Sequence, residues 1–436
     1  MTSTSSAADR RRAGPAGDPD QVIAVRKTDI LAALIDHGRI AGAAERAQFR
    51  QICGRVAAIL HQEYFAGLDR LRDDYFYFNP EIEPHAGLDG AALDRAYADL
   101  VASLTAVLAD ANFVEIPHAE IDAAHRRRSG LRVETVAPLD NFREVRFFRR
   151  GHHEESLESA GWFGLRQRIT PVLVYDDVVL LVAVKPSNGV SRRGRKRLAR
   201  RHLRPGSVLI KYFRNVASID LNALFPNVRV VLSWADKLLL SGPALVGGVP
   251  ILLKLASTIT VLFLVIGFYF GLSASIADEE MAGALAALSG LVALGGFIMR
   301  QWLRYQRQSL KYQKELTDNV YFRNVNNNAG IFDAIVGAAE DQECKETFLA
   351  FYFLQVAAGA PKPDEIKGSI ESWLAEAFGI EVEFKIGAAL ASLERLGLLQ
   401  RDGERLSVLP MARASSTLDR IWGDLLKEKP AAAERV

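Results

Sequence analysis

Two charge-free apolar runs, Leu255 to Ala277 and Met281 to Met299, separated only by Asp278, Glu279 and Glu280, constrain this chain more than any other feature. At about 1.5 Å per helical residue each run is long enough to cross a hydrocarbon core of about 30 Å, and the three acids between them favour a turn in water. The runs predict a two-helix transmembrane hairpin, with helices over about 252–276 and 281–300. The alternative, two core helices of a large soluble domain, needs neighbours on every face of helices that are apolar all round. Basic residues flank the pair: Lys254 precedes it, and Arg300, Arg304, Arg307, Lys311 and Lys314 follow it. By the positive-inside rule both termini then lie in the cytoplasm, or on the matrix side in an organelle. The Ala-, Arg- and Gly-rich usage points to a bacterial inner membrane.

Within the hairpin, Gly267 and Gly271 form one small-residue pair, and Ala282, Ala286 and Gly290 place small residues on one face of the second helix. Small faces let helix backbones approach closely, so packing within the hairpin or on a second copy is expected. Neither run holds an ionisable residue that could serve an intramembrane ion site. A pore would have to arise by oligomerisation, lined by Ser257, Thr258 and Thr260.

A chain of 436 residues exceeds the usual size of one domain. The expected fold is an α+β integral membrane protein: a disordered tail at 1–21, an N-terminal helical and antiparallel-sheet domain at 22–245, and the hairpin at 250–300. A juxtamembrane helix and Asn-rich turn at 301–329, a winged-helix-like α+β domain at 330–412 and a C-terminal tail at 413–436 complete it. Apolar spacing of three and four predicts helices over Ile23–His37, Ala43 to about Asp74, and Ala91–Ala111. Strand patterns occupy Leu131–Val136, Glu144–Phe148, Ile169–Tyr175, Val178–Lys185 and Val208–Phe213, with Asp176-Asp177 as a hairpin turn. Towards the C-terminus, helices over Ile331–Cys344, Glu346–Val356 and Asp364–Phe378 precede a strand at Glu381–Phe384, a helix at Ile386–Leu396 and two short strands around Asp402-Gly403.

The formal charge of +2 makes nucleic acid an unexpected partner. The helix that would read a groove in a winged helix offers only Lys385, Glu394 and Arg395, so contact with a protein partner is the expected use of the C-terminal domain. Cys53 and Cys344 lack metal-ligand spacing, which suits a reducing compartment. Arg192, Arg193, Arg195, Lys196, Arg197, Arg200, Arg201 and Arg204 form the sharpest charge run, read either as a solvated mobile loop or as a contact for anionic lipid. Asn324, Asn326, Asn327 and Asn328 precede a helix, where Asn caps free N–H groups. Glu340, Glu343 and Glu346 recur at three-residue spacing around Lys345, as a solvated face or as carboxylates gathered round a cation. Asn319, Tyr321, Asn324, Asn327, Glu340, Glu343 and Lys345 are therefore the candidate polar cluster. His152-His153-Glu154-Glu155 has metal-binding atoms but no third ligand. No phosphate loop, GxSxG elbow or HExxH is present, and neither catalytic residues, cofactor nor metal is expected.

The segment Ile210-Lys211-Tyr212-Phe213-Arg214-Asn215-Val216, with Asp220-Leu221, Leu224-Phe225-Pro226, Gly247-Gly248 and Lys254, resembles the transmembrane protein 143-like family, a domain of unknown function. The likeness continues through Lys311 to Leu316, Asn319-Val320-Tyr321-Phe322, Asn324, Asn327-Asn328, Gly330 and Ala339 to Glu346, and spans about Asp69 to Leu399. Ala217 and Asn222 stand where the family often has Pro and Glu. The resemblance implies two transmembrane helices and brings no established activity. The resulting expectation is a membrane-anchored interaction or scaffold module in contact with lipid, with an oligomeric channel or a membrane-surface enzyme as alternatives.

Overall fold

The computed structural model describes residues 21–40, 42–82, 90–117, 119–121, 133–136, 139–160, 167–199, 203–224, 229–232 and 322–427, with scattered positions between 267 and 314. Residues up to Pro117, Asp140–Ser218 and those from Arg323 onward form one compact unit; His118–Leu139 and Ile219–Phe322 form a second.

In the main unit, α1 (Lys27–Asp36), α2 (Ala43–Phe76) and α3 (Gly90–Asp110) lead to a short strand β1 (Val114–Glu115). The second unit holds β2 (Val133–Val136). Two long strands follow in the main unit, β3 (Phe142–Ala160) and β4 (Gln167–Val184), then α4 (Arg192–Ala199) and β5 (Val208–Ala217). β6 (Arg229–Leu232) pairs antiparallel with β2 inside the second unit, Val133 opposite Leu232. The main unit resumes with β7 (Asn324–Asn327), α5 (Gly330–Val356), α6 (Pro363–Phe378) and α7 (Ile386–Arg395). It closes with β8 (Leu399–Asp402), β9 (Arg405–Val408) and α8 (Met411–Lys427). The main sheet is antiparallel in the order β1-β3-β4-β5-β7.

α2 and α5 are the spine of this unit. The first half of α2 buries Phe49, Ile52, Val56 and Ile59 against the second half of α5, where Leu349, Phe351 and Tyr352 lie, together with α6, α7 and α8. The second half of α2 buries Leu71 and Tyr75 with Phe332 and Ile335 of α5, α3 and the sheet. Contacts of Phe49 with Phe351 and of Tyr75 with Phe332 show the two helices running antiparallel. Each such side chain, taken wholly out of water, contributes about 2–3 kcal/mol, so the helix pair joins two cores into one body.

Several expectations are corrected. Asp176-Asp177 makes no turn: β4 runs through both residues, paired with β3 from Ala160↔Gln167 to Phe142↔Val184. Asp177 is buried beside Arg150, and Gly151 at φ 67° makes room for Asp176, whose Oδ2 would lie 2.5 Å from a Cβ at position 151. α5 is one helix, with no break at Cys344-Lys345-Glu346, because the buried ammonium of Lys345 is satisfied. Lys345 Nζ donates to Ile23 O at 3.0 Å and pairs with Asp341 at 2.5 Å. Glu381–Phe384 joins no sheet; the Phe384 N–H donates to Glu371 Oε1 at 2.8 Å instead of to a ladder partner.

The integral-membrane expectation is also overturned. Among the described residues no helix is long and apolar enough to cross a membrane. The long helices carry charge along their length and turn their apolar faces to one another: α2 spans 34 residues and α5 spans 27, with Asp333, Glu340, Asp341, Glu343, Lys345 and Glu346 interrupting the apolar character of the latter. The transmembrane hairpin and multi-pass placement in a bacterial inner membrane are therefore not supported, and the fold is α+β. Most of Leu255–Ala277 and Met281–Met299 lies outside the described residues, as do Gly271, Ala282, Ala286, Gly290, Ser257, Thr258 and Thr260; Gly267 has helical backbone.

Candidate functional site

The main unit contains a cavity of about 610 Å³ where α2, α3, α5 and α7 converge. Glu63, Tyr64 and Gly67 of α2 form one wall, and Val107, Asp110 and Asn112 at the end of α3 form a second. Val336, Glu343 and Glu346 of α5 make the third, and Lys385 with Ala388, Ala391, Ser392 and Arg395 of α7 make the fourth. Helical spacing explains the α5 wall, since Val336, Glu343 and Glu346 fall on one stripe along the helix. Asn112 adopts φ 62°, a left-handed conformation that Asn tolerates better than most residues, and so ends α3.

Charged groups here fall into two sets. Glu343 is fully occupied: it accepts hydrogen bonds from Tyr64 Oη at 2.7 Å and Ser392 Oγ at 2.6 Å, and pairs with Arg395, which also pairs with Glu63. This brace ties three helices together and holds the cavity open. Burial, then repulsion by Glu343, raises the Tyr64 hydroxyl, which remains a donor.

Glu346, Asp110 and Lys385 make up the second set. Glu346 is only 5 % exposed. Both of its hydrogen bonds fall on Oε1, from Gln342 Nε2 at 2.9 Å and from Asn112 Nδ2 at 3.5 Å, which leaves Oε2 without a donor among the described residues. Burial pushes its carboxyl up to about 7, outweighing the two hydrogen bonds and the attraction of Lys385. Asp110 stands at the rim, its carboxyl raised first by loss of water and then by Glu343, with Lys385 opposing. Lys385 Nζ approaches only Ala109 O, at 3.4 Å, and forms no ion pair among the described residues. Among those residues no group of three His, Cys, Asp or Glu side chains is disposed to hold a metal.

Of the described members of the polar cluster expected from sequence, only Glu343 lines the cavity. Glu340 faces His61 at 2.9 Å and Lys27 at 3.9 Å, while Lys345 is turned into the core. Asn324 and Asn327 lie in β7, opposite Phe213 and Lys211 of β5. Asn319 and Tyr321 are outside the described residues. No Asn side chain caps α5, whose N-cap is Ala329. Asn328 instead accepts from Tyr75 Oη at 3.1 Å and donates to Glu81 at 2.6 Å, joining α2 to the sheet. Glu346, Asp110 and Lys385 were missed as a group because they come from distant segments; the position of Glu346, the last acid before the apolar stretch Thr347–Leu354, was the available signal.

The first part of the basic run, Arg192–Ala199, forms the helix α4. In α4, Gly194 and Leu198 are buried while Arg192, Arg193, Arg195 and Lys196 are exposed. Arg204 donates to Tyr77 O at 3.0 Å and Asn79 O at 3.2 Å. Arg200, Arg201 and the side chain of Arg197 are outside the described set. A second buried polar cluster surrounds Asp177, which takes two hydrogen bonds from Arg150 at 2.9 and 2.6 Å, one from Tyr212 Oη at 2.6 Å and one from Arg214 at 3.2 Å. Both of its oxygens are engaged, so this cluster holds β3, β4 and β5 together. His153, named for its metal-binding atoms, pairs with Asp176 at 2.7 Å.

Residues 175–330 match a family described as proteins of unknown function, DUF3754. No solved structure matches the chain. Within the main unit the DUF3754 segment supplies part of β4, all of α4, β5 and β7, and the first residue of α5. It includes Asp177, Tyr212 and Arg214 of the buried network, and every residue lining the cavity lies outside it.

Proposed function

We propose that this chain is a non-catalytic recognition module whose ligand sits in the cavity between α2, α3, α5 and α7. The observation that carries the reading is Glu346: a buried carboxyl on the cavity wall with one oxygen lacking a donor. A hydrogen bond to a charged group is worth about 1.5–3 kcal/mol, and that oxygen is open to an arriving donor. The volume supports the same reading, since small-ligand sites span about 300–1,000 Å³. The Glu343–Arg395–Glu63 brace supplies the rigid wall that recognition needs.

An enzyme is the second reading, favoured by the Glu346 carboxyl near neutrality, where general acid–base groups work best. Against it, the hydroxyls lining the cavity, those of Tyr64 and Ser392, are both spent as donors to Glu343. Thermal unfolding of the full chain with small amines, amino acids and carboxylates tests the recognition reading. A stabilising probe whose effect disappears in Ala391→Trp, which fills the cavity, is the expected result. Should Ala391→Trp misfold, Ala388→Phe narrows the same wall. No stabilisation by any of the three probe classes refutes the reading.

A further inference from the structure

The cavity presents unpaired charges of both signs. On the acidic side, Glu346 Oε2 receives no hydrogen bond and Asp110 forms no ion pair among the described residues. On the basic side, Lys385 has only the carbonyl of Ala109, at 3.4 Å. Lys385 acts on both carboxyls, lowering each, so the three groups share one electrostatic environment. The other cation of the site, Arg395, is committed to Glu63 and Glu343. A simple cation placed at Glu346 would be repelled by Lys385, and a simple anion at Lys385 by Asp110 and Glu346. Between the charged groups, Val107, Val336, Ala388 and Ala391 offer apolar wall.

Resting on the recognition reading above, we propose that the ligand is a zwitterion of amino-acid type: its ammonium meets Glu346 and Asp110, its carboxylate meets Lys385, and an aliphatic side chain lies along the apolar wall. Such a ligand completes every unpaired charge at once, which a singly charged ligand of equal size cannot do. Glu346 supplies the oxygen that orients the ammonium, and Asp110 and Lys385 select for the second charge.

Titration calorimetry of the full chain with glycine and L-leucine, and with the two single-charge counterparts of leucine, 3-methylbutylamine and 4-methylpentanoate, tests this. L-Leucine binds more tightly than either counterpart by about tenfold or more, since each counterpart lacks one charge-assisted contact. Lys385→Met weakens L-leucine by about tenfold and leaves 3-methylbutylamine no weaker than before. Glu346→Gln weakens L-leucine and spares 4-methylpentanoate; Asp110→Asn, at the exposed rim, serves the same purpose if the buried variant misfolds. Equal binding of L-leucine and 3-methylbutylamine, or of L-leucine and 4-methylpentanoate, overturns the zwitterion while the recognition reading stands. Failure of both amino acids alongside a response to a single-charge probe that Ala391→Trp abolishes does the same. Silence from every probe overturns both.

Discussion

Replacing Glu346 by Gln should make the main unit more stable at alkaline pH and change its pH dependence. The carboxyl has an ordinary value of 4.5 and is raised to about 7 in the folded chain by burial. Between those values the folded protein holds a proton that the unfolded chain has released. Its contribution to stability is therefore fully present below about 4.5 and is lost as pH rises through about 7. At 1.36 kcal/mol per pK unit, a gap of about 2.5 units amounts to about 3 kcal/mol, to order of magnitude. Glu346 is 5 % exposed, so water does little to screen this cost. Gln has the same shape, keeps an Oε1 to accept from Gln342 and Asn112, and cannot ionise. Urea unfolding followed by tryptophan fluorescence reads the effect, because Trp373 is buried in the core and Trp422 packs against it. From about pH 5 to about pH 8.5 the stability of the wild type should fall relative to Glu346→Gln by about 2–3 kcal/mol. Parallel stability profiles for the two proteins would refute the argument, because they would mean that Glu346 titrates alike folded and unfolded.

Tyr75→Phe removes a buried hydroxyl that donates to Val208 O at 2.8 Å and is shared with Asn328; chemical denaturation should show a loss of about 1–3 kcal/mol. Asp177→Asn strips the charge that faces Arg150 and Arg214 and should cost about 3 kcal/mol in the same assay, whereas Asp176→Asn, half exposed on the neighbouring position, should stay within about 1 kcal/mol. Gly194→Ala would place a Cβ 2.9 Å from Val190 Cγ1 and in conflict with the Asn141 side chain, lowering stability by about 1–3 kcal/mol. Gly423→Ala, in open space within α8, should instead raise stability by up to about 1 kcal/mol, and a thermal melt of the two variants side by side checks the contrast.

What the sequence reveals depends on whether the deciding partner is near in the chain. α2 is legible almost to the residue because Phe49, Ile52, Val56, Ile59 and Leu60 repeat at helical spacing, and that period alone defines a buried stripe. β5 is legible in the same way from the apolar residues of Val208–Phe213. Asp176-Asp177 reads as a turn locally, and only the arginine across the ladder, Arg150, with the space left by Gly151, turns it into the middle of a strand. Lys345 reads as a helix break or a surface charge until the carbonyl of Ile23, 322 positions away, accepts a hydrogen bond from its ammonium. The cavity is the extreme case: Glu63, Asp110, Glu346 and Lys385 lie in four separate stretches. Of the four, Glu346 alone announces a constraint, because an acid preceding Thr347–Leu354 at the heart of a buried helix must be either neutral or met by a donor. Sequence poses that alternative and cannot resolve it. The fold resolves half, by giving Oε1 two donors and Oε2 none among the described residues, and the unresolved half is the physical reason to place the ligand there.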